Sequence, residues 1–205
     1  MSAQPRQRVL VLFAHPSLHR SRVQRRLARA AQALDGIRFH DLYEAYPDFD
    51  VDVAREQELL VAHDLYVLQH PFYWYSVPAL VKQWIDLVLA HGWAYGRDGT
   101  ALVGKKLLCA LSAGSSEAAY CDEGDNRYTV RQLLAPIEQT VQLCGMEFLP
   151  PFVVHGTHAL DAAQIDAAAE EYARVLAALR DGRLDLAAAR RLPRLNSDLE
   201  ALGLA

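Results

Sequence analysis

The first candidates for chemistry are four consecutive ring-bearing residues, Phe72, Tyr73, Trp74 and Tyr75. They follow the apolar run Leu65–Leu68 and precede a segment whose apolar residues recur at the three- and four-residue steps of a helix. Consecutive residues cannot all face one core, so we expect some of these rings to line a cleft and stack on a flat heteroaromatic ligand. A hydrophobic lid over ordinary core is the alternative, and this stretch alone favours neither.

A second candidate site follows the apolar run Arg8–Ala14, which predicts a central strand. His15 comes directly after it, and Ser21 and Gln24 have the spacing of a capping box at the start of a helix. The free N–H groups and dipole of a helix N-terminus attract an anion, and Arg20 and Arg22 would add positive charge. Neither a dinucleotide fingerprint nor a P-loop occurs here, and simple capping is the alternative.

A third candidate is a run of small residues, Ser112 to Ser116, which follows a predicted strand at Lys106–Leu111. Small residues let the backbone approach a ligand closely, and their N–H and hydroxyl groups can bond to it. An ordinary flexible connection is the alternative. Tyr120 lies in the polar segment that follows.

The elements that must position these residues alternate between strands and helices. Besides the strands already named, the patterns predict strands at Ile37–Leu42 and Phe148–His155 and helices at Ser21–Leu34, Val53–Ala62, Val77–Val88, Tyr128–Leu143 (bent near Pro136) and Asp161–Leu179. This alternation predicts an α/β fold, a flavodoxin-like three-layer sandwich with a five-stranded parallel sheet of order 2-1-3-4-5. Strands one, three and four are then neighbours, so the three candidate loops meet at one edge. An anion site, an aromatic cradle and a small polar loop together favour a flavin mononucleotide site.

The composition restricts the class of protein. The 205 residues are 52% hydrophobic and 22% charged with a net charge of −4, which suits one globular domain and gives no sign of nucleic-acid binding. The three cysteines are too dispersed for a metal knuckle, so we expect no metal site. With no spanning segment or signal peptide recognised, we expect a cytoplasmic location.

Two regions are expected along the chain. Residues 1–180 form the flavin-binding domain, and residues 181–205 form a C-terminal tail that its leucines make partly amphipathic. The tail is either mobile or docked on a partner subunit.

At these motifs the chain resembles the flavodoxin-like NAD(P)H:quinone oxidoreductases. Within them it is most similar to the Kef-type ancillary proteins of glutathione-gated potassium efflux. The similarity covers roughly Val9 to Leu179, and the motifs that carry it are AHPSLHRS, LYEAYPDFDVD, QHPFYWYSVPALVKQWIDLVLAHGWAYG, GTALVGKK and GMEFLPPFVVHG.

The resemblance implies a cofactor site and a substrate-facing tyrosine. The residues implied for the flavin phosphate and ribityl are His15, Ser21, Arg22, Val23 and Gln24. Those implied for the isoalloxazine are Phe72, Tyr73, Trp74, Tyr75, Ser112, Ala113, Gly114 and Ser115. Tyr120 matches a tyrosine that faces the substrate in these reductases, and Asp125 or Asn126 falls near the position of their histidine.

The resemblance also implies an activity and partners. We expect two-electron, ping-pong transfer from NAD(P)H through flavin to a quinone-like acceptor. FMN is favoured over FAD because little chain lies beyond the last strand. Relatives form homodimers, so Trp93 and Tyr95 are expected near a neighbour's flavin. The alternative function is a regulatory subunit that binds a membrane potassium-efflux protein at its cytosolic face. A one-electron shuttle is disfavoured because shuttles use strongly charged docking faces.

Overall fold

The core of the protein is a parallel β-sheet, seen in a computed structural model that describes residues 5–204. The strands run in the order β2-β1-β3-β4-β5, with β6 also paired to β4. Their bounds are β1 Val9–Phe13, β2 Ile37–Asp41, β3 Leu65–Pro71, β4 Lys106–Ser112, β5 Glu147–Phe148 and β6 Phe152–Val154. The predicted order 2-1-3-4-5 and the flavodoxin-like class are therefore confirmed.

Helices cover both faces of the sheet and bury two apolar clusters. The α-helices are α1 Val23–Gln32, α2 Leu42–Ala45, α3 Val53–Val61, α4 Ala79–Val88, α5 Val130–Leu133, α6 Ala135–Leu143, α7 Ala162–Arg180 and α8 Leu186–Ala189. Short 3₁₀ turns lie at Leu18–Arg20, Glu117–Ala119 and Leu195–Ser197. Helices α1 and α7 pack on one face, and α2, α3, α4 and α6 pack on the other. Because β1 and β3 are buried on both faces, their sequences are apolar runs without alternation.

The segment expected to contain strand five, Phe148–His155, forms two short strands. β5 and β6 pair separately with β4 on either side of Leu149, Pro150 and Pro151. Proline has no N–H to donate to a ladder, so it is tolerated at a sheet edge, where this strand lies.

Three elements near the candidate loops begin or end at other residues than predicted. Strand β3 continues through Gln69, His70 and Pro71, and β4 includes Ser112, so the sheet carries these residues directly to its carboxyl edge. Helix α4 begins at Ala79 with Pro78 as its N-cap. Ser76 is of a residue type that often caps helices, but its N–H donates to the Tyr73 carbonyl at 3.0 Å, which places it in the preceding turn.

The C-terminal segment packs on its own chain. Leu184, Leu186, Leu195, Leu202 and Leu204 are buried in the same cluster as α1 and α7. Neither of the two expected arrangements, a mobile tail or a tail docked on a partner subunit, included this packing. The leucines are buried within the chain because the segment covers the outer edge of the sheet at β6. Contact with a partner subunit stays a prediction.

Candidate functional site

A cleft of about 570 Å³ opens at the carboxyl ends of β1, β3 and β4, where parallel sheets of this kind bind ligands. Predicted site residues that line it are His15, Ser21, Arg22, Val23, Phe72, Tyr73, Trp74, Tyr75, Ser112, Gly114, Ser115 and Tyr120. Pro71, Arg20, Asn126, Thr157 and His158 complete the lining. Gln24 and Ala113 do not line it.

One end of the cleft is suited to an anion. Ser21 Oγ accepts the Gln24 N–H at 3.1 Å, and the first turn of α1 contains no acidic residue. His15 Nδ1 accepts the Ser17 N–H at 3.0 Å, and burial lowers the pKa of the ring. The neutral ring therefore carries its proton on Nε2, as a donor. With Arg20 and Arg22 on the same wall, this end offers donors and positive charge without a carboxylate.

Gln24 is buried beneath this site and serves as a structural connector. Its Nε2 donates to the His70 carbonyl at 2.8 Å and to Ser112 Oγ at 3.0 Å. Its Oε1 accepts from Gln69 Nε2 at 3.0 Å, and Gln69 Oε1 in turn accepts from the Tyr172 hydroxyl at 3.0 Å. The expected capping box is thus only half formed, because the Gln24 side chain bonds to β3 and β4 instead of turning back to Ser21.

The loop after β4 is also connected to the sheet. The Ala113 N–H donates to the Val154 carbonyl, so Ala113 extends the β4–β6 ladder and is fully buried. The next residue, Gly114, faces the cleft, and a Cβ there would lie 2.7 Å from His158 Nε2. A side chain at this position would therefore require the His158 ring to move.

The aromatic residues form a strained turn. Phe72 is buried, whereas Tyr73 and Tyr75 are partly exposed and Trp74 is 92% exposed. Trp74 and Tyr75 have φ values of 48° and 62°, and the hydrogen bond from Ser76 to Tyr73 closes a turn of the type I′ pattern. The left-handed conformation costs a non-glycine residue about 1–2 kcal/mol. Such strain is concentrated at ligand sites, which favours the cleft interpretation over a simple lid.

Tyr120 forms part of the cleft wall and lies between two rings. Its ring centroid is 6.1 Å from that of Phe72 and 5.5 Å from that of His155. Burial raises the pKa of Tyr120, opposed by the nearby Ser115 hydroxyl, so the phenol keeps its proton at neutral pH. Tyr120 is thus a hydrogen-bond donor beside the aromatic turn.

Asn126 connects this wall to the aromatic turn. The Tyr75 hydroxyl donates to Asn126 Oδ1 at 3.1 Å. Asn126 Nδ2 is buried and has no partner among residues 5–204. A buried amide donor without an acceptor at a cleft wall is suited to the acceptor atom of a ligand.

Sequence reasoning missed the loop that follows β6. His155 contacts Tyr120, and Thr157 and His158 line the cleft. Burial lowers the pKa of His155, and its Nδ1 has no partner within the described chain. The signal was present, because HGTH follows the carboxyl end of the last predicted strand. Of the two residues expected near the relatives' histidine, Asn126 lines the cleft and Asp125 does not.

Among residues 5–204, no three His, Cys, Asp or Glu side chains are placed to hold a metal ion. Within the same range, every helix is too short or too polar to span a bilayer. Cys109 and Cys144 are buried thiols, and Cys121 is exposed.

Solved structures similar to this chain include three that cover at least 80% of it. General stress protein 14 from Treponema denticola, in complex with FMN, is 39% identical with a TM-score of 0.79, over 84% of this chain and 99% of that one. An NADPH-quinone reductase from P. pentosaceus is 32% identical with a TM-score of 0.74, over 82% and 96%. A chain from a structure named thermophilic tryptophan halogenase, from Streptomycin violaceusniger, is 43% identical with a TM-score of 0.78, over 80% and 95%.

A family model described by the flavodoxin-like fold matches residues 7–176. This match covers the whole sheet and every strand whose carboxyl end borders the cleft. The chain therefore belongs to the family of proteins with the flavodoxin-like fold.

Proposed function

We propose that this protein is a flavin oxidoreductase that holds FMN in the cleft and passes electrons from NAD(P)H to a quinone-like acceptor. The observation that carries the proposal is the meeting of an anion-binding helix end, an aromatic turn and a small polar loop in one cleft of about 570 Å³. The names of two similar proteins, one an FMN complex and one an NADPH-quinone reductase, support it.

The residues present fit this cofactor. The cleft volume lies within the roughly 300–1,000 Å³ of small-molecule sites. Arg22, Ser21 and the first turn of α1 suit the phosphate, and His15 Nε2 offers another donor. The rings of Tyr73 and Trp74 suit a flat heterocycle, and the unpartnered Asn126 Nδ2 suits its electron-rich edge.

FMN is favoured over FAD by what is known of a similar protein. The similar Treponema denticola protein is named as an FMN complex.

When bound, the flavin would supply hydride chemistry, taking two electrons from a nicotinamide and giving them to an acceptor. The chain's own residues would orient the reactants and exclude water. The buried ring of Phe72 and the rings of Tyr73 and Tyr75 form an apolar wall for successive occupants of one face, as a ping-pong scheme requires. The Tyr120 hydroxyl, protonated at neutral pH, would donate to the acceptor oxygen as negative charge develops there.

The first experiment is an absorbance spectrum of the purified protein, followed by anaerobic addition of NADPH or NADH. Flavin bands that bleach on addition, and return with a quinone, support the proposal. A colourless protein that takes up neither FMN nor FAD would refute it.

The role of Tyr120 is tested by Tyr120→Phe, with the exposed Tyr128→Phe as the matched control. We expect Tyr120→Phe to lower turnover roughly 10-fold to 100-fold, because a hydrogen bond to a charged group contributes about 1.5–3 kcal/mol. Flavin affinity should change little. Turnover equal to that of Tyr128→Phe would remove Tyr120 from the mechanism.

The resemblance also predicts a homodimer, a membrane partner and a cellular location, and each can be tested separately. A homodimer would bring Trp93 and Tyr95, both partly buried, toward the neighbour's cleft, and a solution mass measurement tests it. Association with a membrane potassium-efflux protein, and with it the regulatory alternative, is tested by co-purification of the two proteins. A cytoplasmic location, or one at the inner membrane face through that partner, is tested by cell fractionation.

The Streptomycin violaceusniger structure, named a tryptophan halogenase, suggests a second activity to measure, which is the halogenation of tryptophan. The same preparation, supplied in air with tryptophan, chloride and NADH so that dioxygen is the oxidant and is reduced to water, is analysed by mass spectrometry for chlorinated tryptophan. Formation of that product without quinone reduction would replace the proposed acceptor.

A further inference from the structure

The geometry points to Arg194, Leu195 and Asn196, in the C-terminal segment, as positioning residues for the Tyr120 wall of the cleft. They contact the sheet edge at β6 and the 3₁₀ turn that precedes Tyr120, and so hold the two loops together. Their effect on catalysis rests on the proposed function, whereas the contacts themselves do not.

The segment is fixed to the outer edge of the sheet by its backbone and one amide. Asn196 Oδ1 accepts the Val153 N–H at 3.0 Å, and Asn196 Nδ2 donates to the Val153 carbonyl at 2.9 Å. The Leu195 N–H donates to the Pro151 carbonyl at 2.8 Å, and the Leu195 side chain is fully buried. These contacts provide partners for backbone N–H and C=O groups at the outer edge of β6, as a neighbouring strand would.

Arg194 extends from this anchor to the loop after β4. Its Nη2 and Nε lie 2.5 Å and 3.2 Å from the two carboxylate oxygens of Glu117, the paired geometry that holds a guanidinium and a carboxylate in fixed orientation. Its Nη1 donates to the Asn196 carbonyl at 2.8 Å, which holds the guanidinium in place. Only 19% of the Arg194 side chain is exposed.

Glu117 starts the turn that ends at Tyr120. The Tyr120 N–H donates to the Glu117 carbonyl at 2.9 Å, so the position of Glu117 sets that of the Tyr120 backbone. Besides the ring contacts of Tyr120 with Phe72 and His155, two polar side-chain contacts link residues 117–127 to distant parts of the described chain: Arg194 with Glu117, and Tyr75 with Asn126. The second comes from the exposed, strained turn, so the Arg194 contact is the firmer support.

The C-terminal segment also fixes the position of His155, which lies beside Tyr120. His155 follows Val153 by two residues, and its ring contacts that of Tyr120. Burial lowers the pKa of His155, while the charge of Glu117 raises it and that of Arg194 lowers it. Besides the Tyr120 ring, the groups that act on His155 are the charges of Glu117 and Arg194 and the backbone of Ser115.

The test compares Arg194→Met and Glu117→Gln with Arg191→Met, an exposed arginine of the same segment. Misplacing a catalytic group by about 1 Å can lower the rate roughly 100-fold, so we expect the first two variants to lose about tenfold or more in kcat. FMN affinity, read by fluorescence quenching, should stay within about twofold of wild type. Exchanging the charges, in Arg194→Glu with Glu117→Arg, should restore part of the loss.

A second readout needs no activity. In NMR titrations of the flavin-free protein, the pKa of His155 should rise in Arg194→Met and fall in Glu117→Gln, and stay unchanged in Arg191→Met. A purely structural role in tail packing would not move it in opposite directions. If Arg194→Met fails to fold, Glu117→Gln carries the test, since 61% of that side chain is exposed.

The outcomes separate the two proposals. Turnover in both variants equal to that of Arg191→Met, or an unmoved His155 pKa, would overturn the positioning role. If the wild-type protein oxidises neither NADPH nor NADH, the proposed function fails, and the His155 titration alone decides whether the contact exists in solution.

Discussion

Replacing Gln24 by leucine should lower the free energy of unfolding by about 3 kcal/mol. Gln24 and Gln69 are both fully buried, and leucine leaves Gln69 Nε2 without its acceptor. A buried unsatisfied donor costs about 1–3 kcal/mol, and we take about 2 kcal/mol for this one. The lost hydrogen bonds to His70 and Ser112 add about 1 kcal/mol together. For a chain of this length the melting temperature should fall by roughly 6–12 °C.

The assay is urea unfolding of the flavin-free protein followed by tryptophan fluorescence, because bound flavin would itself stabilise the fold. The matched control is Gln32→Leu, at the exposed end of α1, which should stay within about 0.5 kcal/mol of wild type. Tyr172→Phe removes the other bond to Gln69 and should cost about 1 kcal/mol. It should couple to Gln24→Leu in a double-mutant cycle, because the two share a partner.

Flavin affinity distinguishes a connector from a ligand. Gln24 does not line the cleft, so Gln24→Leu should weaken FMN binding by no more than about threefold at a temperature where the variant is folded. A stability loss below about 1 kcal/mol together with a large loss of FMN affinity would refute this reasoning and return Gln24 to the set of direct contacts.

Two further predictions concern a buried carboxylate and the strained turn. Burial acts to raise the pKa of Glu56, but hydrogen bonds, including that from Trp84 Nε1 at 2.8 Å, leave it lowered. Its stabilising effect is therefore present above the unfolded pKa of about 4.3 and lost as pH falls through the folded pKa. Urea titrations should show a steeper loss of stability in wild type and in exposed-site Glu58→Gln than in Glu56→Gln, which keeps the pH dependence of Asp64 and Asp181; parallel profiles would contradict it. Trp74→Gly should be about 1 kcal/mol more stable than Trp74→Ala, since only glycine adopts φ of 48° without strain; equal melting temperatures would exclude strain at this residue.

Much of the architecture could be predicted from local patterns. The buried runs at Leu65 and Lys106 predicted parallel strands, and their alternation with helices predicted the order that the structure confirms. That order placed the loops after the first, third and fourth strands side by side. The cleft therefore contains most of the residues that the sequence nominated, since strand ends are set by the sheet.

The errors lie where a side chain chooses between local and distant partners. The spacing of Ser21 and Gln24 is that of a capping box, but Gln69, from 45 residues further along, offers Gln24 a buried partner. The tail leucines predicted an amphipathic segment without saying what it covers. The proline-interrupted edge at β6 supplies that surface.

By itself the sequence determined the elements, their order and the loops that meet at one edge, because periodicity and chain connectivity are local properties. Only the tertiary structure decided which side chains face the cleft: it turned Gln24 and Ala113 inward and brought His158 against Gly114. Those directions depend on contacts between residues far apart in the chain, whose hydrogen bonds and packing outweigh the weak preferences of each loop taken alone.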